Sequence, residues 1–303
     1  MPSQRASKVM KLEEAVATFV KEGYGIGIGG VMEERRPCAF IREIIRQKIG
    51  NLTLYAGPVS SYDVDLLIGA GLVKETVLPM VTMGDLGMAP NFRKAAESGQ
   101  IKAHLLDIIT FTAGLMAGAQ RAPYHIVQSL KGTSMLEVSP LYETLTDSHG
   151  KKLTAVKAFT PDITILHAEQ SDEYGNIRHL MPVAIDRMIA KAAKKVVVTV
   201  EEIIPHSETL KTPSKTTLGT HWVSAVIETP YGAHPCSSGY YRSDKEHIRE
   251  YCTAAEANRK GDPTVFNEYM RKYIYEPTNL SEYLERVGGI RRLLELRRAK
   301  RTM

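Results

Sequence analysis

Alternating glycines near the N-terminus constrain this chain of 303 residues more than any other feature. Glycines alternate with isoleucines from Gly25 to Gly29, and a period of two is typical of a β-strand. Because glycine weakens a strand, several at alternate positions indicate that another backbone or a ligand comes close. Gly30 follows as a turn residue, and Pro37 is of the type that begins a helix. The stretch therefore predicts a strand, a glycine turn and a helix over 37–48.

The predicted turn combines paired glycines with two adjacent arginines, namely Gly29, Gly30, Arg35 and Arg36. Backbone N–H groups at the start of a helix, with guanidinium groups beside them, suit an anionic ligand such as a phosphate or a carboxylate. A pair of guanidinium groups can clamp such a ligand. The alternative is a surface pair of arginines bonded to the neighbouring glutamates, Glu33 and Glu34.

Two further interpretations of this turn remain open. The spacing of Gly25, Gly27 and Gly30 satisfies the glycine pattern of dinucleotide-binding folds. However, the first two of these glycines lie inside the predicted strand, and no acidic residue ends a second strand about 20 residues further on. A nicotinamide cofactor is therefore disfavoured, whereas a tight turn that binds no ligand is a simple alternative.

Strands and helices alternate along the first 120 or so residues, which predicts an α/β fold. We expect strands over 24–30, 51–55, 73–81 and 101–106, and helices over 12–20, 37–48, 63–69, 90–97 and 111–119. This alternation is typical of an open, mostly parallel sheet with helices on both faces. Ligands of such sheets lie beyond the carboxyl ends of the strands, which selects the loops at 29–36, 56–62, 82–88 and around 107.

The alternation of strands and helices becomes irregular over 123–160. We interpret this segment as one that covers the sheet. Strands are expected again over 163–168, 196–200 and 222–227, with a helix over 182–193. From residue 243 the chain is polar and helical, with helices over 243–258, 263–274 and 281–299. We therefore expect one domain over 1–303, with a helical C-terminal extension over 243–303.

Five residues in the selected loops are candidates for ligand contact. Ser60 and Ser61 could hydrogen-bond a carboxylate or thioester oxygen, although serine is also a favoured helix N-cap. Met83 and Gly84 follow the third strand, where the glycine is equally well explained as a turn residue. Asp107 could act as a base or a ligand, but an aspartate at this position is usually a cap.

Composition excludes several functional classes. The net charge of +5 is mild, and no aromatic residues interleave with the basic C-terminal stretch, so nucleic-acid binding is unsupported. Three widely spaced cysteines do not indicate a disulfide framework or a zinc site. No apolar run is long enough to span a membrane, and the N-terminus lacks a signal core. We expect a cytoplasmic protein that binds neither nucleic acid nor membranes and holds no metal.

Several segments resemble class I CoA-transferases, and in particular the A subunit of glutaconate CoA-transferase. Gly-Gly-Val-x-x-x-Arg-Arg-Pro at 29–37 resembles that family's Gly-Gly-Phe-x-x-x-Arg-x-Pro, with Val31 in place of the phenylalanine. Further similar segments occur in the family's order at 7–12, 63–71, 87–99, 167–176, 199–204 and 230–235. The resemblance covers nearly the whole chain.

The resemblance implies an A subunit that is inactive alone. In this family a glutamate of the partner B subunit, in a Glu-Asn-Gly-type segment, becomes a glutamyl-CoA thioester. No Glu-Asn-Gly occurs here. We therefore expect a hetero-oligomer with a B subunit, A2B2 or larger, with a coenzyme A thioester as substrate and no permanently bound cofactor. This chain would supply no catalytic residue but one wall of the site, formed by Gly29, Gly30, Arg35, Arg36, Ser60, Ser61, Met83, Gly84, Asp107 and Ile108.

Ile108 marks a departure from a related enzyme class. A ring-cleaving CoA hydrolase of the same fold carries an essential glutamate in its A-type chain, and the aligned position here is Ile108. The isoleucine counts against hydrolase chemistry and makes the acyl pocket less polar than glutaconate would favour. With Val31, it indicates a substrate unlike glutaconate. The alternatives are the A subunit of such a hydrolase and a non-catalytic subunit of the same fold.

Overall fold

The structure, a computed structural model, describes residues 5–301 and their side chains up to residue 298. Residues 1–4, 302 and 303 of the predicted domain lie outside the described residues. Within the described range, no helix is both long and apolar enough to cross a membrane.

The strands form one large, mostly parallel sheet and one small antiparallel sheet. The bounds are β1 Gly25–Ile28, β2 Leu52–Ala56, β3 Val73–Val77, β4 Lys102–Ala103, β5 Tyr124–Val127, β6 Tyr142–Thr146, β7 Lys152–Lys157, β8 Ile163–Ser171, β9 Ile177–Arg178, β10 Lys195–Ile203 and β11 Ala225–Glu228. The large sheet has the order β11-β10-β8-β1-β2-β3-β4, and β9 pairs antiparallel with β8. The predicted α/β fold is thus confirmed, and β1 lies at the centre of the sheet.

The helices cover both faces of the large sheet. Their bounds are α1 Leu12–Phe19, α2 Cys38–Arg46, α3 Tyr62–Gly69, α4 Pro90–Glu97, α5 Ile108–Gln120, α6 Met135–Val138, α7 Asp186–Ala192, α8 His206–Lys211, α9 Lys245–Arg259, α10 Thr264–Met270, α11 Leu280–Arg286 and α12 Gly289–Arg301. One apolar core includes α1 to α4 and the C-terminal helices, and a second includes α5, α7 and the small sheet. The sheet separates these two cores.

The alternating glycines of β1 allow α7 to pack directly on the strand. A Cβ atom at Gly27 would lie 3.1 Å from an Ile189 side-chain carbon, and one at Gly29 would lie 2.6 Å from an Asp186 oxygen. Both partners belong to α7. The expected close approach is therefore real, and the group that approaches is a helix of this chain.

The small sheet is the main element that the sequence patterns do not predict. Over 123–160 the structure has three antiparallel strands in the order β5-β7-β6. Asp147 makes the β6–β7 turn, because its carboxylate accepts hydrogen bonds from the N–H groups of His149 and Lys151. The strands bury only a few residues each, including Val127, Tyr142 and Val156, so their alternation is weak in the sequence.

Several predicted boundaries are wrong by a few residues. The strand predicted over 73–81 ends at Val77, since Pro79 lacks the N–H group that would continue the ladder. The helix predicted over 182–193 begins only at Asp186. The helix predicted over 281–299 is broken at Gly288, which has a φ angle of 112°.

The C-terminal helices are attached through a buried network of tyrosines and histidines. The hydroxyl groups of Tyr62 on α3 and Tyr269 on α10 lie 2.8 Å apart. His247 Nε2 on α9 lies 2.7 Å from the same Tyr269 hydroxyl group, and His234 Nδ1 lies 2.8 Å from the hydroxyl group of Tyr283 on α11. These contacts connect α3, a loop and the C-terminal helices, so the extension is an integral layer of the fold.

The histidines of this network make stability depend on pH. Burial lowers the pKa of His247 well below its usual value, with a further lowering from nearby His234. The unfolded chain therefore binds a proton that the folded chain does not, and stability falls as pH drops below about 6.5. Between pH 7.5 and 5.5 we expect His247 to contribute a loss of about 1.4 kcal/mol.

Urea unfolding of wild type and His247→Gln at both pH values measures this contribution. Glutamine keeps a side-chain donor for Tyr269 but does not titrate. The variant should lose less stability on acidification than wild type, and equal losses would contradict the assignment to His247.

Candidate functional site

Three loops meet at the carboxyl edge of the sheet and surround Ser60. The N–H group of Met32, in the loop after β1, donates to the carbonyl oxygen of Val59 at 2.8 Å. The N–H group of Ser60 donates to the carbonyl oxygen of Met80 at 2.9 Å, and its own carbonyl oxygen accepts from Thr82 at 3.0 Å. The loops after β1, β2 and β3 thus form one layer, as the sequence predicts.

The two serines at this edge have different environments. Both are buried. Ser61 is the N-cap residue of α3 but makes no side-chain cap hydrogen bond, and its hydroxyl group lies 3.8 Å from the sulfur atom of Met83. The hydroxyl group of Ser60 is buried without a hydrogen-bond partner among the described residues. An unpaired buried hydroxyl group costs about 1–3 kcal/mol, so Ser60 carries a donor that no group of the described residues uses.

The glycine turn is not an open cradle of N–H groups, which corrects the expectation for Gly29 and Gly30. The N–H group of Gly29 donates to Ile165 in the sheet at 3.0 Å. The N–H group of Gly30 donates to the Asp186 carboxylate at 2.9 Å. Gly30 has a φ angle of 81°, and a Cβ atom there would lie 2.4 Å from the Glu34 carbonyl oxygen. The glycines therefore shape the turn, and their donors are used within the protein.

Arg35 lies inside the protein with a φ angle of 50°. Its guanidinium group donates to the Pro182 carbonyl oxygen at 2.7 Å and lies 3.7 Å from the Glu34 carboxylate. Its Nε atom has no hydrogen-bond partner in the part of the chain that the structure describes. Arg35 is therefore not part of a surface pair, and it joins the glycine turn to the segment before α7.

Arg36 is fully buried and forms an ion pair with Asp63 of α3. Its Nε atom lies 2.8 Å from Asp63 Oδ1, and its Nη1 atom lies 3.4 Å from the carbonyl oxygen of Gly30. Burial acts to lower the pKa of Arg36, but the Asp63 carboxylate outweighs it and the pKa is raised. The charge is neutralised inside the protein, so this geometry gives Arg36 a structural role in the turn.

Met83 and Gly84 lie behind the serines. Met83 is buried, and its sulfur atom is the Ser61 contact described above. Gly84 has a φ angle of 62°, and its N–H group donates to the Thr82 hydroxyl group at 3.2 Å. The conformation of Gly84 is that of a turn residue.

Asp107 and Ile108 begin α5 at the same edge of the sheet. The Asp107 carboxylate accepts from the N–H group of Thr110 at 2.7 Å, and the two residues form a capping box. Ile108 is 45% exposed and Ile109 is 62% exposed. Asp107 therefore caps the helix, while Ile108 presents apolar surface at the edge.

The sequence patterns did not identify the polar groups beneath the glycine turn. Asp186 Oδ1 accepts from Gly30, while its Oδ2 atom has no partner among residues 5–298. Buried Glu169 accepts from the N–H groups of Leu180 and Gly239. Burial lowers the pKa of His179, although the nearby carboxylates of Asp186 and Glu169 act to raise it. A helix predicted from 182 placed Asp186 within the helix, whereas the structure places it at the first turn, facing Gly30.

The Arg36–Asp63 ion pair gives a stability prediction. Removing one partner leaves a buried charge, so Arg36→Met and Asp63→Leu should each destabilise the chain by about 3–5 kcal/mol. The double variant leaves no buried charge and should be less destabilised than either single variant. Urea unfolding measures all three, and a double variant whose loss equals the sum of the single losses would contradict this account.

Comparison with known proteins places the chain in a family. A family model for coenzyme A transferase matches residues 9–227 and ends before the C-terminal helices. An uncharacterised protein of Archaeoglobus fulgidus is 35% identical over 97% of this chain, which spans 65% of that protein's length. The A subunit of glutaconate CoA-transferase from Acidaminococcus fermentans is 30% identical, with 94% of this chain and 93% of that protein covered.

Two further comparisons bear on fold and chemistry. The IpdA subunit of the cholesterol ring-cleaving hydrolase from Rhodococcus jostii is 28% identical, with 90% of this chain and 94% of that protein covered. The crystal structure of the Acidaminococcus fermentans glutaconate coenzyme A-transferase superposes with a TM-score of 0.89 at 28% identity, over 96% of this chain and 95% of that one. The family match spans well over half of the chain, and the likeness to a transferase A subunit extends over nearly all of it. The chain therefore belongs to the coenzyme A transferase family.

Proposed function

We propose that this chain is the A subunit of a heteromeric class I CoA-transferase that moves CoA between an acyl-CoA and a small carboxylic acid. The observation that carries the proposal is the unpaired hydroxyl group of Ser60, buried at the carboxyl edge of the sheet among the described residues. Such a donor suits the oxyanion that forms when a thioester carbonyl is attacked.

Several carboxylates near this edge pair with cations or accept hydrogen bonds within the chain, although the Oδ2 atoms of Asp63 and Asp186 have no partner among the described residues. Asp63 pairs with Arg36, and Asp107 caps α5. Asp186 and Glu169 accept backbone N–H groups. Glu33, in the loop after β1, pairs with Lys245 at 2.8 Å. This arrangement supports a nucleophile that comes from another chain.

The proposed reaction proceeds in two halves. The partner B subunit supplies a glutamate that attacks the acyl-CoA carbonyl carbon, and the C–S bond breaks to give a mixed anhydride and a CoA thiolate. The thiolate then attacks the glutamyl carbonyl carbon, which releases the first acid and leaves a glutamyl-CoA thioester. The second acid reverses both steps and takes the CoA. Ser60 would donate its hydrogen bond to the carbonyl oxygen during each attack.

Ile108 favours transfer over hydrolysis. It stands where the resemblance to ring-cleaving hydrolases requires a glutamate, and Asp107 beside it is occupied as a helix cap. Neither residue is therefore suited to act as a general base for water. With Val31, the apolar Ile108 supports a substrate less polar than glutaconate.

The proposal includes the assembly and its setting. The partner is a B-type subunit, in an A2B2 or larger oligomer, with CoA thioesters as substrates and no permanently bound cofactor. We propose that the enzyme works in the cytoplasm, consistent with free thiol groups at Cys38, Cys236 and Cys252. We further propose that residues 1–303 act as one domain, with the helices after 243 as its extension.

The role of Ser60 is tested by a matched pair of serine variants. In the complex with its partner, Ser60→Ala should lower kcat about 100-fold, because an oxyanion donor is lost. Its stability should be unchanged or slightly raised, because no hydrogen bond within the protein is removed. Ser61→Ala, next in the chain and equally buried, is the control and should retain most activity. Equal activity losses in the two variants would contradict the assignment.

The location of the nucleophile is tested by trapping. The complex is incubated with a panel of acyl-CoAs, reduced with borohydride and digested for mass spectrometry. We expect one modified glutamate, and we expect it on the partner chain. Modification of a glutamate in this chain, or turnover by this chain alone, would contradict the proposal.

A further inference from the structure

Helix α5 is uncharged and largely apolar, with Thr112 and Gln120 as the polar residues of its exposed positions, yet one of its faces is open. Its 13 residues, IITFTAGLMAGAQ, include no charged side chain. A helix of this composition is normally buried on every side. Ile108 and Ile109 are nevertheless 45% and 62% exposed, and Met116 and Ala119 are partly exposed.

These exposed residues form one continuous stripe. At about 100° per residue, positions 108, 109, 112, 116, 119 and 120 fall within roughly one third of the helix circumference. The remaining positions of α5 are buried. The stripe starts at the carboxyl edge of the sheet, beside the candidate site, and runs down the outside of the molecule.

The far end of the stripe borders a groove with unpaired cations. A groove of about 450 Å³ lies between α5 and α7, with Met116 and Ala119 on one wall and Arg187 and Lys191 on the other. Neither cation forms an ion pair or hydrogen bond with any side chain that the structure describes, and Lys191 lies 5.8 Å from the centre of the Trp222 ring. The groove thus combines apolar side chains with two cations in its lining.

We propose that this stripe and groove are the docking surface for the B-type partner, which would place an apolar segment flanked by carboxylates against α5 and α7. This inference rests on the proposed function. The stripe is continuous with a site whose nucleophile must come from another chain, so the chain that completes the site also reaches Ile108. The rim of Arg187 and Lys191 is complementary to acidic residues on that chain.

A second copy of this chain fits the surface less well. A two-fold contact brings the same patch of each copy together. Arg187 and Lys191 would then face their own counterparts across the axis, and like charges in contact oppose association. A different chain that carries acids at its matching positions avoids this repulsion.

The test uses the B-type chain that co-purifies with wild type, identified by sequence as a member of the same family and then prepared separately. Dissociation constants for the B-type chain are measured by analytical ultracentrifugation for wild type and for two double variants. One double variant combines Ile109→Asp with Met116→Asp, and the other combines Arg187→Glu with Lys191→Glu. Both double variants should bind at least 10-fold more weakly. Ile290→Asp is the matched control, since Ile290 is 69% exposed on α12, a helix of the other apolar core, and it should bind like wild type.

Hydrogen exchange gives a second readout that needs no variant. Amide groups of α5 should exchange more slowly when the B-type chain is added to wild type. Wild-type affinity in both double variants, or unchanged exchange in α5, would overturn the docking surface. Self-association of the wild-type chain that both double variants abolish would also overturn the proposal, because the surface would then bind a second copy of this chain.

The two proposals fail in different ways. If the complex forms a glutamyl thioester while the α5 variants assemble normally, only the docking surface is wrong. If wild type binds no chain of its family, the proposed function is wrong as well.

Discussion

The packing of α7 on the glycine face of β1 is the constraint on which the site depends. Without side chains at Gly27 and Gly29, the helix comes close enough for Asp186 to accept the N–H group of Gly30 at 2.9 Å. That hydrogen bond and the Arg36–Asp63 ion pair hold the turn from both faces of the sheet. The turn then supports the loop of Ser60 through the Met32–Val59 hydrogen bond. The glycines therefore act through the geometry of the turn, and the group that we propose to contact the ligand is a serine one strand away.

The same arrangement supports the proposal that a partner chain completes the site. The buried carboxylates at this edge are used to fix backbone and cations, so each stabilises the scaffold at the cost of its reactivity. The surface beyond them is open and largely apolar along α5 from Ile108, and it ends at the groove beside α7, where Arg187 and Lys191 lie. In the proposed complex, a partner that covers this surface would exclude water from the carboxyl edge around Ser60, and a dry site strengthens hydrogen bonds to a developing oxyanion. The proposed assembly and the proposed catalysis would thus be linked through one face of the molecule.

The alternation of strands and helices was enough to predict the sheet, its parallel sense and the edge at which the loops after β1, β2 and β3 meet. It failed where strands were short and weakly alternating, as in β5 to β7, whose turn depends on Asp147. The sequence also did not predict that Arg35 and Arg36 are buried, because arginines in a loop are usually exposed. Their partners, Pro182 and Asp63, are distant in the sequence and come close only in the fold. Asp186 carried no local signal, since its partner is a backbone N–H group 156 residues away. Its loop position made Ser60 a candidate, but its lack of a partner among the described residues is a property of the packing.

The most direct test of the central claim follows oxygen atoms through the reconstituted two-chain complex. An acyl-CoA and an acceptor acid that support turnover are supplied, with 18O in the carboxylate of the acceptor acid and ordinary oxygen in the water. In the proposed mechanism the glutamate gives one oxygen to each released acid and recovers one from each acceptor. The released acid should therefore acquire 18O from the acceptor acid and no oxygen from water. Released acid that takes its oxygen from water would show hydrolysis, and the proposed CoA transfer through a partner glutamate would be wrong.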